Sequence, residues 1–188
     1  MASLLVLLLL LVVFGGTAFL LWWFQGLWGC LITLVNTLFA ASLAGMVAGP
    51  LAALLSGWLP ALDRAWYFLV LCTVFSQVVI LATEVSRRVS RTAVPFHPLV
   101  ERIATPVVAL LTAWIVMAFT AASLHAAPLP KNAIPQGMLL GLAPDRGWLG
   151  WTVGVATKPP FGSAGGWFIG RRRTVDGLIA YFAERRDG

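Results

Sequence analysis

Residues 21–29 read LWWFQGLWG, and their reading decides how the first third of the chain folds. No side chain from Met1 to Leu62 is charged, and Asp63 is the first that is. As one helix these 62 residues would run roughly 93 Å at about 1.5 Å per residue, some three times the ~30 Å hydrocarbon core of a bilayer. The stretch must therefore fold back on itself. Residues 21–29 supply the break: Gly26 and Gly29 interrupt the apolar run, Gln25 is polar, and Trp22, Trp23 and Trp28 suit a membrane–water boundary. This places a first span at about Leu4–Leu21 and a second at about Leu27–Ala48, with Gly49-Pro50 expected to weaken or end the second helix.

Outward from this turn the pattern repeats. Ala65–Thr83 and Ile103–Pro130 are also free of charge, which predicts a third span at about Ala65–Val85 and a fourth at about Ile103–His125. LAALLSGWLPALDRAW (Leu51–Trp66) reads as an interfacial connection with Trp58 and Trp66 as a second aromatic belt. Of the 188 residues 60% are hydrophobic and 11% charged, whereas a soluble domain is nearer 45–50% and about 25%. The expected fold is an all-α integral membrane protein. Residues 1–126 form a domain of four transmembrane helices with short loops, and residues 127–188 form an extracytoplasmic, partly interfacial tail. The first span lacks the positive n-region of a signal peptide and runs past 20 residues, so it is read as a retained span.

The tail opens as a loop rich in proline, from Pro128 to Pro160, with the apolar clusters GMLLGL (Gly137–Leu142) and WLGWTVGV (Trp148–Val155). Neither cluster is long enough to span, so each is expected to dock on the bundle or lie at the interface. TVDGLIAYFAERR (Thr174–Arg186) predicts a short amphipathic helix with Val175, Leu178, Ile179 and Phe182 on one face.

The net charge of +6 records orientation rather than a nucleic-acid partner. The connection between the third and fourth spans, RRVSRTAVPFHPLVER (87–102), holds Arg87, Arg88, Arg91 and Arg102 against Glu101, while the preceding connection holds only Asp63 and Arg64. Short loops rich in Lys and Arg stay in the cytoplasm, and four spans then put both termini on the extracytoplasmic side. Arg171–Arg173 lie beyond the ~15–20 residues next to a span in which charge steers insertion.

Within the spans, Ala41, Gly45 and Gly49 recur every four residues beside a parallel ridge of Ala44 and Ala48, a spacing that lets helices approach closely in lipid. Packing inside the bundle and a contact between copies both fit it. Asn36 and Gln77 fall near the bilayer midplane, and an amide there must be bonded, so both are expected to face protein. They form either interhelical glue or, with Thr33, Thr37, Ser76 and Thr112, the polar lining of a small pathway. No ionisable side chain sits deep in a span, which argues against an ion-coupled carrier. No catalytic or metal constellation rises above background: His97 and His125 lie near opposite faces, and GSAGGWFIG (162–170) lacks the GK[ST] of a phosphate loop. Neither an enzyme nor a cofactor is expected. Cys30 and Cys72 sit at different depths, which argues against a disulfide.

The order of features carries a resemblance. An uncharged first span leads to a tight turn ending in glycine, GLWG, and then to a small-residue second helix. A third helix runs into a basic loop, and a fourth opens on an acid–arginine pair in VERIATPVVALLTAWIVMAF (Val100–Phe119). Over residues 1–126 the chain resembles the colicin V production protein family (CvpA-like), most specifically at Gly29 and at Glu101-Arg102. PDRGWLG (Pro144–Gly150) and YFAERR look like the tail of longer members. That family commonly has Arg-Gly at the first turn, where this chain has Trp28-Gly29. The resemblance implies an inner-membrane accessory or scaffold protein linked to toxin production or export and to envelope homeostasis. Its partners would be the lipid bilayer and other membrane proteins or further copies of itself. The alternative from the residues is a subunit of a passive channel or small-solute transporter.

Overall fold

A computed structural model describes residues 2–58, 63–90, 96–127, 146–151 and 176–177. Four long helices dominate: α1 (Ala2–Phe24), α2 (Leu27–Trp58), α3 (Asp63–Val89) and α4 (Pro98–Leu124), and no strand occurs among the described residues. All four are long and apolar enough to cross a membrane. A helix meets every backbone hydrogen bond within itself, which hydrocarbon demands. The chain is thus a multi-pass, all-α membrane protein, as its composition indicates.

The link between α1 and α2 is only Gln25-Gly26, so the helices reverse within the stretch LWWFQGLWG. α1 runs antiparallel to α4: Val6 and Leu10 near the start of α1 pack with Met117, Ala121 and Leu124 near the end of α4. Leu21, at the other end of α1, packs with Cys30 of α2 and Ala109 of α4. α2 packs along α3 and also meets α4. Of the apolar window of α4, 56% is buried, against 11% for α3 and 17% for α1. That contrast makes α4 the central helix and α3 a peripheral one.

Small residues make the seams. Ala40, Ala44, Ala48 and Ala52 of α2 are all 0% exposed, and so is Ala41 beside them. Ala41, Ala44 and Ala48 meet Val70 and Leu71 of α3 and Ala118, Phe119 and Ala122 of α4. Lipid tails are as apolar as leucine, so close van der Waals contact must hold the helices together, and alanine allows that contact. The packed ridge of α2 is therefore the alanine one; Gly45 and Gly49 lie on its flank, half-buried.

The helix boundaries depart from the sequence expectation in three places. α2 does not end at Gly49-Pro50 but continues through Pro50 to Trp58. A proline removes one backbone donor, and neighbouring helices can compensate for it in a membrane bundle. Here the flanking Ala48 and Ala52 are fully buried, which holds the chain helical on both sides. α3 extends to Val89 rather than stopping near Val85, so Arg87 and Arg88 occupy its last turn, where cations suit the helix dipole. α4 starts at Pro98 instead of Ile103, because His97 caps it: its Nδ1 accepts from the Leu99 N–H at 3.4 Å. Proline at the first helical position lacks a donor that would go unused there. Glu101 and Arg102 accordingly lie in the first turns of α4 rather than opening it.

Of the tail, residues 146–151 form a short helix. Trp148 and Leu149 are buried against the α2–α3–α4 core, with the Trp148 ring edge-on to Phe119 at 6.1 Å and Phe119 stacked on Phe75 at 4.3 Å. The front of WLGWTVGV therefore docks on the bundle. Arg146 lies 3.9 Å from Asp176, an exposed pair worth little on its own. Asp176 and Gly177 are helical. The remainder of the expected tail helix, the GMLLGL cluster and Arg91 lie outside the described residues.

Ala48→Leu should force extra methylenes into the seam and destabilise the protein by about 1–3 kcal/mol. Phe39→Leu, at a position 60% exposed, should change little. Thermal unfolding in detergent, followed by circular dichroism, distinguishes the two.

Candidate functional site

The features singled out in the sequence converge at one end of the bundle, where α1 turns into α2, α3 ends and α4 begins. Gly29 sits at a close approach. A Cβ there would lie 3.3 Å from both Cβ and Oε1 of Gln25, whose side chain folds over the first turn of α2. Gln25 Oε1 accepts from the Thr33 hydroxyl at 2.9 Å, and the same hydroxyl lies 2.9 Å from the Gly29 carbonyl oxygen. The turn is thus latched to the second turn of α2 by a side-chain amide.

Gly26 faces α4. A Cβ at residue 26 would sit 2.8 Å from Glu101 Oε1, so the carboxylate rests against the backbone where α2 starts. The first turn of a helix has unpaired N–H groups and a partial positive charge, which favours an anion there. Glu101 occupies the first turn of its own helix as well, and so complements two helix starts at once. Arg102, next to it, is exposed.

Trp28 ties the same end to α3: its Nε1–H donates to the Ser90 hydroxyl at 2.8 Å, across 62 residues of sequence. The indole thus fastens two connections to each other. Arg87 and Arg88 are exposed on the last turn of α3, and Arg88 pairs with Glu84 at 2.9 Å. Cys30 is 0% exposed and packs with Leu21 and Ala109. Both described cysteines are free. The Thr105 hydroxyl, near the start of α4, is buried and unbonded among the described residues.

Deeper in the bundle the expected polar layer is not assembled. The Asn36 amide donates to the Ser86 hydroxyl at 3.2 Å, and that hydroxyl is 3.4 Å from Asn36 Oδ1 in return. Asn36 is therefore glue between α2 and α3. Gln77 lies on the same helix as Ser86 but nine residues away, about 13 Å along the axis, and its side chain is exposed. It faces outward, not toward protein as expected. The hydroxyls of Ser76, Thr112 and Thr120 each donate to the carbonyl four residues earlier in their own helix, at 2.8 Å. Small hydroxyls satisfy themselves this way when no other partner is near.

Sequence reading missed the Trp28–Ser90 and Asn36–Ser86 bonds and the contact of Glu101 with Gly26. Trp28 carried a signal, since an indole N–H that is partly buried needs an acceptor, but nothing local names Ser90. Among the described residues no three His, Cys, Asp or Glu side chains gather as a metal site would require.

Trp28→Phe keeps the ring's bulk but removes the donor and should cost about 0.5–1.5 kcal/mol. Ser90→Ala should cost a similar amount, and the double variant little more than either alone. A double-mutant cycle on unfolding in detergent measures that coupling.

Comparison with protein-family models, with curated proteins and with solved structures finds no match for this chain.

Proposed function

We propose that this chain is an inner-membrane accessory or scaffold protein of the colicin V production kind, linked to toxin production or export and envelope homeostasis, and that it acts by holding other membrane proteins. The observation that carries this reading is the use to which its polar groups are put. Asn36 is bonded to Ser86, the Thr33 hydroxyl to Gln25 Oε1, and the Ser76 and Thr112 hydroxyls to carbonyls of their own helices. Of the groups expected to line a pathway, Asn36 joins α2 to α3, Ser76 and Thr112 are bonded within their own helices and Gln77 faces outward, so they share no common lining. The alanine ridge of α2 fills the space between α3 and α4, where a lumen would otherwise run. No enzymatic role is proposed.

Orientation follows from charge. The end bearing the α1–α2 turn also carries the exposed Arg87, Arg88 and Arg102, and it is assigned to the cytoplasm by the positive-inside rule. Both termini and the docked helix at residues 146–151 then lie on the far side. The cytoplasmic surface is the basic end of α3 beside the Glu101–Gly26 contact. The extracytoplasmic surface is the tail, anchored through Trp148.

Liposomes holding the purified protein should leak potassium and glycerol no faster than protein-free liposomes. Leak that Asn36→Leu abolishes would replace the scaffold with the passive-channel reading. For orientation, single cysteines are placed at Val89, 80% exposed at the end of α3, and at Ser163 in the tail. A membrane-impermeant maleimide added outside intact cells should label position 163 and spare position 89; the reverse would invert the topology.

A further inference from the structure

Gln77 is the central residue of the α3 span Ala65–Val89, with twelve residues of the span on either side of it. Its side chain is exposed and has no hydrogen-bond partner among the described residues. An amide at that depth faces hydrocarbon, which offers neither donor nor acceptor. α3 is also the helix with the smallest buried share. Gln77 does not stand alone: Leu69, Thr73, Ser76, Ile80, Glu84 and Arg87 share its exposed side of α3. Their steps of four, three, four, four and three residues keep one stripe in line, since 3.6 residues complete a turn.

We propose that this stripe is an interface between two copies of the chain, packed α3 against α3 and closed by a reciprocal hydrogen bond between their Gln77 side chains. The occupant is a second copy for two reasons. All copies insert at the same depth and in the same direction, so a two-fold axis along the membrane normal brings Gln77 to Gln77 without adjustment. The amide carries both a donor and an acceptor, so two of them satisfy each other, as amides do between membrane helices. Charge complements the same axis. Arg87 has no ion-pair partner among the described residues, and Glu84 stands one turn before it on the stripe. Across the two-fold, Glu84 of one copy, which holds Arg88 of its own helix through Oε1 at 2.9 Å, turns its other oxygen to Arg87 of the other at the membrane edge. Ser76, whose hydroxyl is already bonded to the Cys72 carbonyl, presents a small surface that lets the two backbones approach. The inference stands whether the bundle acts as a scaffold or otherwise, since it rests on the α3 face alone.

Full-length protein labelled separately with donor and acceptor dyes, reconstituted together in phosphatidylcholine liposomes, should show energy transfer that falls as lipid is added. Gln77→Leu should weaken association roughly tenfold, a typical scale for one interhelical amide bond in lipid. Gln77→Asn, which keeps the amide, should stay within about threefold of the wild type. Because residue 77 lies outside the bundle core, helix content by circular dichroism should be unchanged in both variants. Ile80→Cys should cross-link to its twin in native membranes under mild oxidation, while Phe39→Cys, exposed on α2, should not. Absence of energy transfer in the wild type, or transfer untouched by Gln77→Leu, would overturn the interface. A different protein cross-linked at position 80 in place of the twin would overturn it too.

Discussion

Helices in a bilayer gain nothing from hiding apolar side chains from each other, because the surrounding lipid is equally apolar. What holds this bundle is therefore closeness of approach, and closeness depends on the unbroken run of fully buried alanines along α2. Val70 and Leu71 of α3 and Ala118, Phe119 and Ala122 of α4 converge on that run. The central place of α4 and the peripheral place of α3 follow from how each meets the alanine face.

At the turn end a different economy operates. Water and headgroups can reach the ends of helices, and there the chain uses specific polar contacts instead of close packing. Gln25 folds over the glycine at residue 29, Glu101 lies against the glycine at residue 26, and Trp28 reaches Ser90. The first contact is local to the turn, while the other two reach α4 and the end of α3, so the α1–α2 and α3–α4 connections are fixed relative to each other and not merely adjacent. The other end is closed by aromatic packing, with Trp148 against Phe119 and Phe119 against Phe75. A chain with so little charge in its spans thus places its specific contacts mostly at its two ends.

The number of helices and the site of the first reversal were legible because they depend on bulk quantities, namely length without charge and the chain-breaking tendency of glycine beside a polar residue. Where the outcome depends on which way one side chain points, composition is silent. Pro50 looked like a terminus, yet the packing of Ala48 and Ala52 on either side keeps the helix going, and that packing is set by α3 and α4. Asn36 and Gln77 looked alike, two amides near the midplane. They differ in depth, since Asn36 bonds to Ser86 about 13 Å along α3 from the central Gln77. Which of them faces inward depends on the rotation of each helix about its axis, which no local pattern states. Gly29 was singled out as a break in the apolar run and through a resemblance, and its close contact with Gln25 became visible only once the turn was built.

The pairing of α1 with α4 has a consequence for biogenesis. Of the four described spans, the first to be made, α1, has the last to be made, α4, as its main partner, through Val6 and Leu10 on Met117, Ala121 and Leu124. Until α4 is synthesised, α1 is tethered to α2 by a two-residue link and by Leu21 on Cys30, and is otherwise held by lipid. α2 and α3 can meet much earlier, as neighbours in the chain. The bundle therefore closes in one late step, when α4 inserts between a waiting α1 and an already formed α2–α3 pair. A chain truncated before residue 98 would leave in the membrane a hairpin joined to a loose helix, with the alanine face of α2 only half covered.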